Sequence, residues 1–183
     1  LELDVGTDTL LMLGGSYQKD RNTGFNASLP RYADGSDIGL PRDTNMGAPW
    51  NWIARENKTV FAKLEHQLSN AWQLKAQLRH TRFEEGVNAA EIEGTPAPVP
   101  LQGTDWWIHQ NQSRARETSL DMHLQGGFDA WGRRHDVIVG WDMQRTNDVV
   151  RSLWPRIGPA DIFDRTPPAD PGYPLGNWTS GSQ

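Results

Sequence analysis

The sequence predicts an all-β fold, an antiparallel meander of about six strands, and three observations predict it. Apolar residues recur with a period of two rather than 3.6. The reversals between successive runs alternate between very short turns and long polar connections. Tryptophan, present nine times in 183 residues, sits either beside the short turns or in the long connections.

The first run opens with Leu1, Leu3 and Val5, reverses at Gly6–Thr9, and continues from Leu10 to about Asp20 with Leu11, Leu13 and Tyr17 on one face. In Thr59–Leu68, Val60, Ala62, Leu64, His66 and Leu68 share a face, and Phe61, Lys63, Glu65 and Gln67 take the other. Trp72–Arg82 repeats the scheme, with Trp72, Leu74, Ala76 and Leu78 against Gln73, Lys75, Gln77 and Arg79. Only Ser69-Asn70-Ala71 separates these two runs, and its turn-forming residues make the pair a hairpin. A further hairpin places Thr118, Leu120, Met122, Leu124 and Phe128 before a turn at Asp129–Arg134, then Val137, Val139, Trp141 and Met143.

The connections are unequal. Three are short, as hairpin links are. The others, about 21–58, 85–113 and 152–183, are rich in Gly, Pro, Asn and Asp, with a proline-dense tip at 95–100. Loops of that length are uncommon in compact soluble domains and usually carry function. Short turns at one edge and long loops at the other is the anatomy of outer-membrane barrels. Trp72, Trp131 and Trp141 then stand where an interfacial aromatic girdle belongs. Trp50, Trp52, Trp106, Trp107, Trp154 and Trp178 lie in the long connections, each either a packing anchor or a ligand contact.

Composition narrows the function classes. No stretch approaches the roughly 20 apolar residues of a membrane helix, whereas a barrel strand crosses with about 9–11 alternating residues. A soluble β domain fits the composition equally well. The formal charge of −5 argues against a nucleic-acid partner. The absence of cysteine removes disulfides, thiolate metal sites and cysteine nucleophiles. Neither a signal peptide nor a natural border is visible at Leu1 or Gln183, so a parent chain is expected to extend beyond both.

Four strings, taken in order, carry a family resemblance: LELDVGTDTLLMLGGSYQKD (1–20), LPRDTNMGAPWNW (40–52), TVFAKLEHQLSNAWQLKAQLRHTR (59–82) and SLDMHLQGGFDAWGRRHDVIVGWDM (119–143). They resemble successive stretches of TonB-dependent ferric-siderophore receptors of the ferripyoverdine and ferric-coprogen type. The resemblance implies a 22-stranded barrel in the outer membrane of a Gram-negative bacterium, closed by an N-terminal plug. On that reading 1–183 is part of the barrel, and the plug and the TonB-contacting region are expected outside it. It further implies an aromatic-lined extracellular pocket for a ferric siderophore, imported with energy delivered by TonB. By position it offers Trp50 and Trp52 in the first loop, and Trp154 and Trp178 in the third. The alternatives are a soluble β-sandwich that binds carbohydrate or another ligand, a passive porin, or a TonB-dependent receptor for a different substrate.

An import receptor makes and breaks no bonds, and the sequence has no phosphate loop, nucleophile elbow or HExxH motif. The five histidines, His66, His80, His109, His123 and His135, lack ligand spacing, so no metal or cofactor is expected on protein side chains. Iron is expected to enter inside the siderophore, and the protein reads the outside of that complex. Arg42 is the cationic candidate for acidic groups on it, against the plainer reading of an ion pair with Asp37 or Asp43. Glu84-Glu85 reads as a solvated strand end.

Overall fold

The computed structural model describes residues 1–24, 30–97, 103–164 and 166–172. Its strands are β1 (Glu2–Asp4), β2 (Thr9–Thr23), β3 (Trp52–Ser69), β4 (Trp72–Gly94), β5 (Thr104–Ala130), β6 (Arg133–Leu153) and β7 (Arg156–Pro159). They form one sheet in the order β1-β2-β3-β4-β5-β6, and β7 pairs antiparallel with β5. No helix occurs among the described residues. The meander is therefore the predicted one, with a short seventh strand added beyond β6.

The short turns are tighter than predicted. Asn70-Ala71 alone links β3 to β4, and Trp131-Gly132 alone links β5 to β6. Trp131 (φ 49°) and Gly132 (φ 73°) both adopt the left-handed region, as a type I′ hairpin turn requires to match strand twist. Gly132 takes that geometry without a Cβ penalty, and Trp131 is the exception among the described non-glycine residues. The Trp131 indole is 90% exposed and meets the His135 ring edge-on at 5.6 Å.

The long connections are shorter than the sequence reading set them. The first spans 24–51 and not 21–58, the second 95–103 and not 85–113, and the third starts only after Leu153 and is interrupted by β7. The reading followed apolar alternation, but strands continue wherever backbone pairing continues, and beyond an apolar band neither face needs to be apolar. Thr104–Arg114, with two Trp and one Ile among polar residues, is such a stretch.

Two compact units divide the chain. The first comprises Leu1–Gln18, Asn57–Phe83 and Ala115–Asp148, the second Lys19–Glu56, Glu84–Arg114 and Val149–Gln183. All three short turns fall in the first. Its register is held by rings lying across strand glycines, a device that fills the gap a glycine leaves. A Cβ on Gly14 would sit 2.4 Å from the Phe61 ring, and one on Gly126 would sit 2.4 Å from both the Ala71 carbonyl oxygen and the Trp72 ring. His66 and His80, on otherwise apolar faces, meet the hydroxyls of Thr9 (2.7 Å) and Thr118 (2.8 Å) across the sheet.

No buried hydrophobic side chain among the described residues belongs to this unit. Leu13, Val60, Leu68, Leu78, Met122, Val139, Trp141 and Met143 are all exposed. β6 has one neighbour on the main path and leaves a long edge open.

Two outcomes are expected. In detergent-refolded protein, Gly126→Ala should cost about 1–3 kcal/mol through overpacking against Trp72, checked by urea titration of tryptophan fluorescence. In buffer without detergent, the isolated chain should run as aggregates on size-exclusion chromatography with light scattering. A sharp monomer with cooperative unfolding would show that the apolar side has a partner within this chain.

Candidate functional site

The second unit has its own core. Alternation along β4 turns Ala90 and Ile92 to one face, and along β5 it turns Trp106 and Ile108 the same way. Met46, Ala48, Ala160 and Ile162 from the connections close over them, with Ile38, Leu40 and Trp50 packed at the margin. The fully buried Asn51 takes the place of a strand backbone: its side chain accepts from the Ala90 N–H (2.8 Å) and donates to the Ala90 carbonyl (3.1 Å). Pairing continues past it, Ala48 N–H donating to Ala90 and Ile92 N–H to Met46.

Polar contacts tie the third connection onto this core. Trp50 Nε1 donates to the Pro168 carbonyl (2.9 Å), Thr104 Oγ1 donates to the Ala160 carbonyl (2.8 Å), and Asn88 Nδ2 donates to Asp170 (3.1 Å) while accepting from Gln110 (2.9 Å). Such buried bonds fix a loop because leaving either partner unpaired costs about 1–3 kcal/mol.

A cleft of about 270 Å³ in the same unit is lined by Lys19, Trp52, Ala54, Glu56, Gly86 and Arg114 among others. The Arg21 guanidinium lies 4.9 Å over the Trp52 ring, a cation–π contact. Gly86 leaves room for that ring, since a Cβ there would sit 3.0 Å from it. Ion pairs cross the cleft walls: Arg55–Glu85 (2.7 Å), Lys19–Glu56 (3.8 Å) and Arg114–Glu84 (3.7 Å). These are partly exposed and stabilise little, but they set an alternating pattern of charge. Glu84 and Glu85 are thus each paired with an arginine.

On the face of β4 and β5 that alternates away from the core stand Glu91, Glu93, Asp105, Trp107 and His109. Asp105 accepts from Arg156 (2.6 Å), which holds its carboxyl below the usual range and raises the guanidinium in turn. His109 Nε2 lies against Glu93 Oε1, and the Trp154 ring tilts over the imidazole at 5.0 Å and 39°. Burial pushes the Glu91 carboxyl up, partly countered by His109 and reinforced by Glu93. Glu91 lies well beyond the roughly ten residues that a barrel strand needs to cross a membrane.

The structure separates the residues singled out from sequence. Trp106 is 6% exposed in the core and Trp50 anchors the third connection. Trp52 and Trp107 lie in strands, not in loops. Trp154, 61% exposed, stands between β6 and β7. Arg42 is exposed, and Asp37, one of its expected partners, caps the Gly39 N–H instead (2.9 Å). Trp178 lies outside the described residues. Sequence reasoning missed Arg21, Glu91 and Glu93, and set His109 aside as a histidine without ligand spacing. Strand alternation beside an apolar pair, as in Ala90-Glu91-Ile92-Glu93, was the available signal.

No family model matches the chain. A ferric-pyoverdine receptor of a Pseudomonas species is 30% identical over 187 residues, covering 99% of this chain and 22% of that protein. The ferripyoverdine receptor of Pseudomonas aeruginosa is 31% identical over 166 residues, covering 84% of this chain and 19% of that protein. The chain therefore spans about a fifth of the length of the curated relatives it matches. The crystal structure of the Pseudomonas aeruginosa ferripyoverdine receptor of the outer membrane, bound to ferripyoverdine, superposes with a TM-score of 0.78 at 27% identity, over 100% of this chain and 24% of that one. By sequence and by fold, this chain is a relative of the ferripyoverdine receptors and corresponds to a stretch of the β-barrel of TonB-dependent siderophore receptors.

Proposed function

We propose that the chain forms part of an outer-membrane receptor that binds a ferric siderophore of the pyoverdine class and imports it with TonB-supplied energy. The observation that carries this reading is the match along essentially the whole chain, at about 30% identity, to receptors named for ferric pyoverdine. The physical character of the two units agrees with it. The first presents apolar side chains that a bilayer would cover. The second is a self-supported set of long connections that a soluble ligand would meet. TonB would act through a region outside this stretch, and outer-membrane lipid would be the partner of the exposed face.

Within the second unit the tryptophans divide by what they already touch. Trp50 and Trp106 act as packing anchors. Trp107 and Trp154, on the face the core does not use, are the proposed contacts for the organic periphery of the chelate, and Trp52 with Arg21 is a third aromatic surface. Arg42 stays the proposed cation for acidic groups. Ligand pockets of drug-sized molecules run to about 300–1,000 Å³, so a cleft of about 270 Å³ holds one group of a chelate rather than all of it. The remaining wall would come from the rest of the barrel. Iron would stay within the siderophore throughout, bound by no protein side chain.

In the intact receptor, Trp107→Ala with Trp154→Ala should weaken ferric-pyoverdine binding by about 1–4 kcal/mol, in line with aromatic hot spots. Trp50→Phe keeps an aromatic ring but loses the bond to Pro168 and part of the indole's packing, so affinity should hold while stability drops by about 1–3 kcal/mol. Tryptophan-quenching titrations measure both. Unchanged affinity in the double variant would remove these rings from the binding site.

A further inference from the structure

We propose that Glu91, Glu93 and His109 form a binding site for a divalent transition-metal ion, separate from any iron carried inside a siderophore. Their ligand atoms, one carboxylate oxygen from each glutamate and one imidazole nitrogen, all lie within 4.8 Å of one another, the one such group among the described residues. Tetrahedral ligands at about 2.0–2.2 Å from a zinc ion stand about 3.3–3.6 Å apart, so side-chain shifts of roughly 1 Å bring all three to bonding distance.

Backbone geometry presents the set. Glu91 and Glu93 alternate onto the same face of β4, with Ala90 and Ile92 buried behind them, and His109 projects from β5 beside the buried Ile108. The Glu91 backbone is held by its bridge to Gly47. Sites built on paired strands keep their geometry better than sites on loops.

A second observation concerns the imidazole itself. His109 Nε2 is wholly shielded from solvent and makes no hydrogen bond, although Glu93 Oε1 lies directly against it. The Trp154 ring covers the imidazole and limits its rotation. Two neighbouring carboxylates, one of them half-buried, also repel each other. A divalent cation removes that repulsion. One nitrogen and two oxygens suit zinc and its first-row neighbours better than calcium or magnesium, which take oxygen-only shells. Three protein ligands leave a position open for water.

The test uses the intact, siderophore-free receptor in detergent, with zinc chloride alone as the probe in isothermal titration against a competing chelator. The expected result is one saturable site, weakened at least tenfold in His109→Ala and in Glu93→Gln, and weaker at lower pH because the ligands must be deprotonated. A second measurement reads stability: zinc should raise the thermal midpoint of the unsubstituted receptor and leave that of Glu91→Gln nearly unchanged, because an ion stabilises only the fold that binds it. No saturable uptake, uptake equal in all variants, or a zinc-induced rise in thermal midpoint that Glu91→Gln leaves unchanged would each overturn the proposal and leave a plain histidine–carboxylate ion pair.

Discussion

Everything in the short-turn unit depends on an apolar side that none of the described residues covers. Leu13, Val60, Leu68, Leu78, Met122, Val139, Trp141 and Met143 each remain more than a third exposed. Burying one such side chain fully is worth about 1.5–3 kcal/mol. Half-exposed, the set forgoes on the order of 10 kcal/mol in water, as much as the whole stability of a typical domain. A folded state that leaves this much unclaimed needs another phase or another surface. A bilayer supplies the phase, but only for a structure whose backbone groups are all paired. The open edge of β6 then calls for a further strand. One constraint thus accounts for the meander, its apolar side and the open edge of β6.

Given that constraint, register must be set by something other than core packing. Rings across glycines serve this purpose in each unit: Phe61 over Gly14 and Trp72 over Gly126 in the first, Trp52 over Gly86 in the second. A slip of one residue would turn every apolar side chain to the wrong face, and a slip of two would set each ring against a Cβ. The threonine–histidine contacts at Thr9–His66 and Thr118–His80 act in the same direction, giving the polar atoms of an apolar face a partner.

The strands and their reversals were legible in the sequence because alternation between Val60 and Leu68, or Trp72 and Leu78, reports backbone period directly. The limits of the long connections were not. A strand that has left the apolar band keeps its hydrogen bonds but loses its apolar code, so Thr104–Arg114 reads as loop and folds as β5. The same blindness placed Trp52, Trp106 and Trp107 in loops. Composition marked the tryptophans as important without saying which are consumed by packing: the 6% exposure of Trp106 and the bond from Trp50 to Pro168 are tertiary facts. The grouping of His109 with Glu91 and Glu93 was hidden for a related reason. Ligand spacing along a chain is informative within one element, whereas here the nitrogen and the oxygens come from two strands joined by a loop.

The contrast between the units bears on how a receptor can change its ligand without losing its fold. In the long-connection unit the core is built from small and medium side chains, Ala48, Ala90, Ala160, Met46, Ile92, Ile108 and Ile162, with one tryptophan. Asn51, Thr104 and the Gln110–Asn88–Asp170 series bind the connections to the strands through specific polar contacts. Those contacts anchor the bases of the connections, so exposed positions outside them, Arg42 among the described residues, carry less of the fold. On the strand face away from the core, Trp107, Trp154 and His109 carry no share of core burial and are equally free to follow chemistry. Loop tips and that face can therefore vary with the ligand, whereas substitution at Asn51 or Trp106 is resisted by the energy of the core itself.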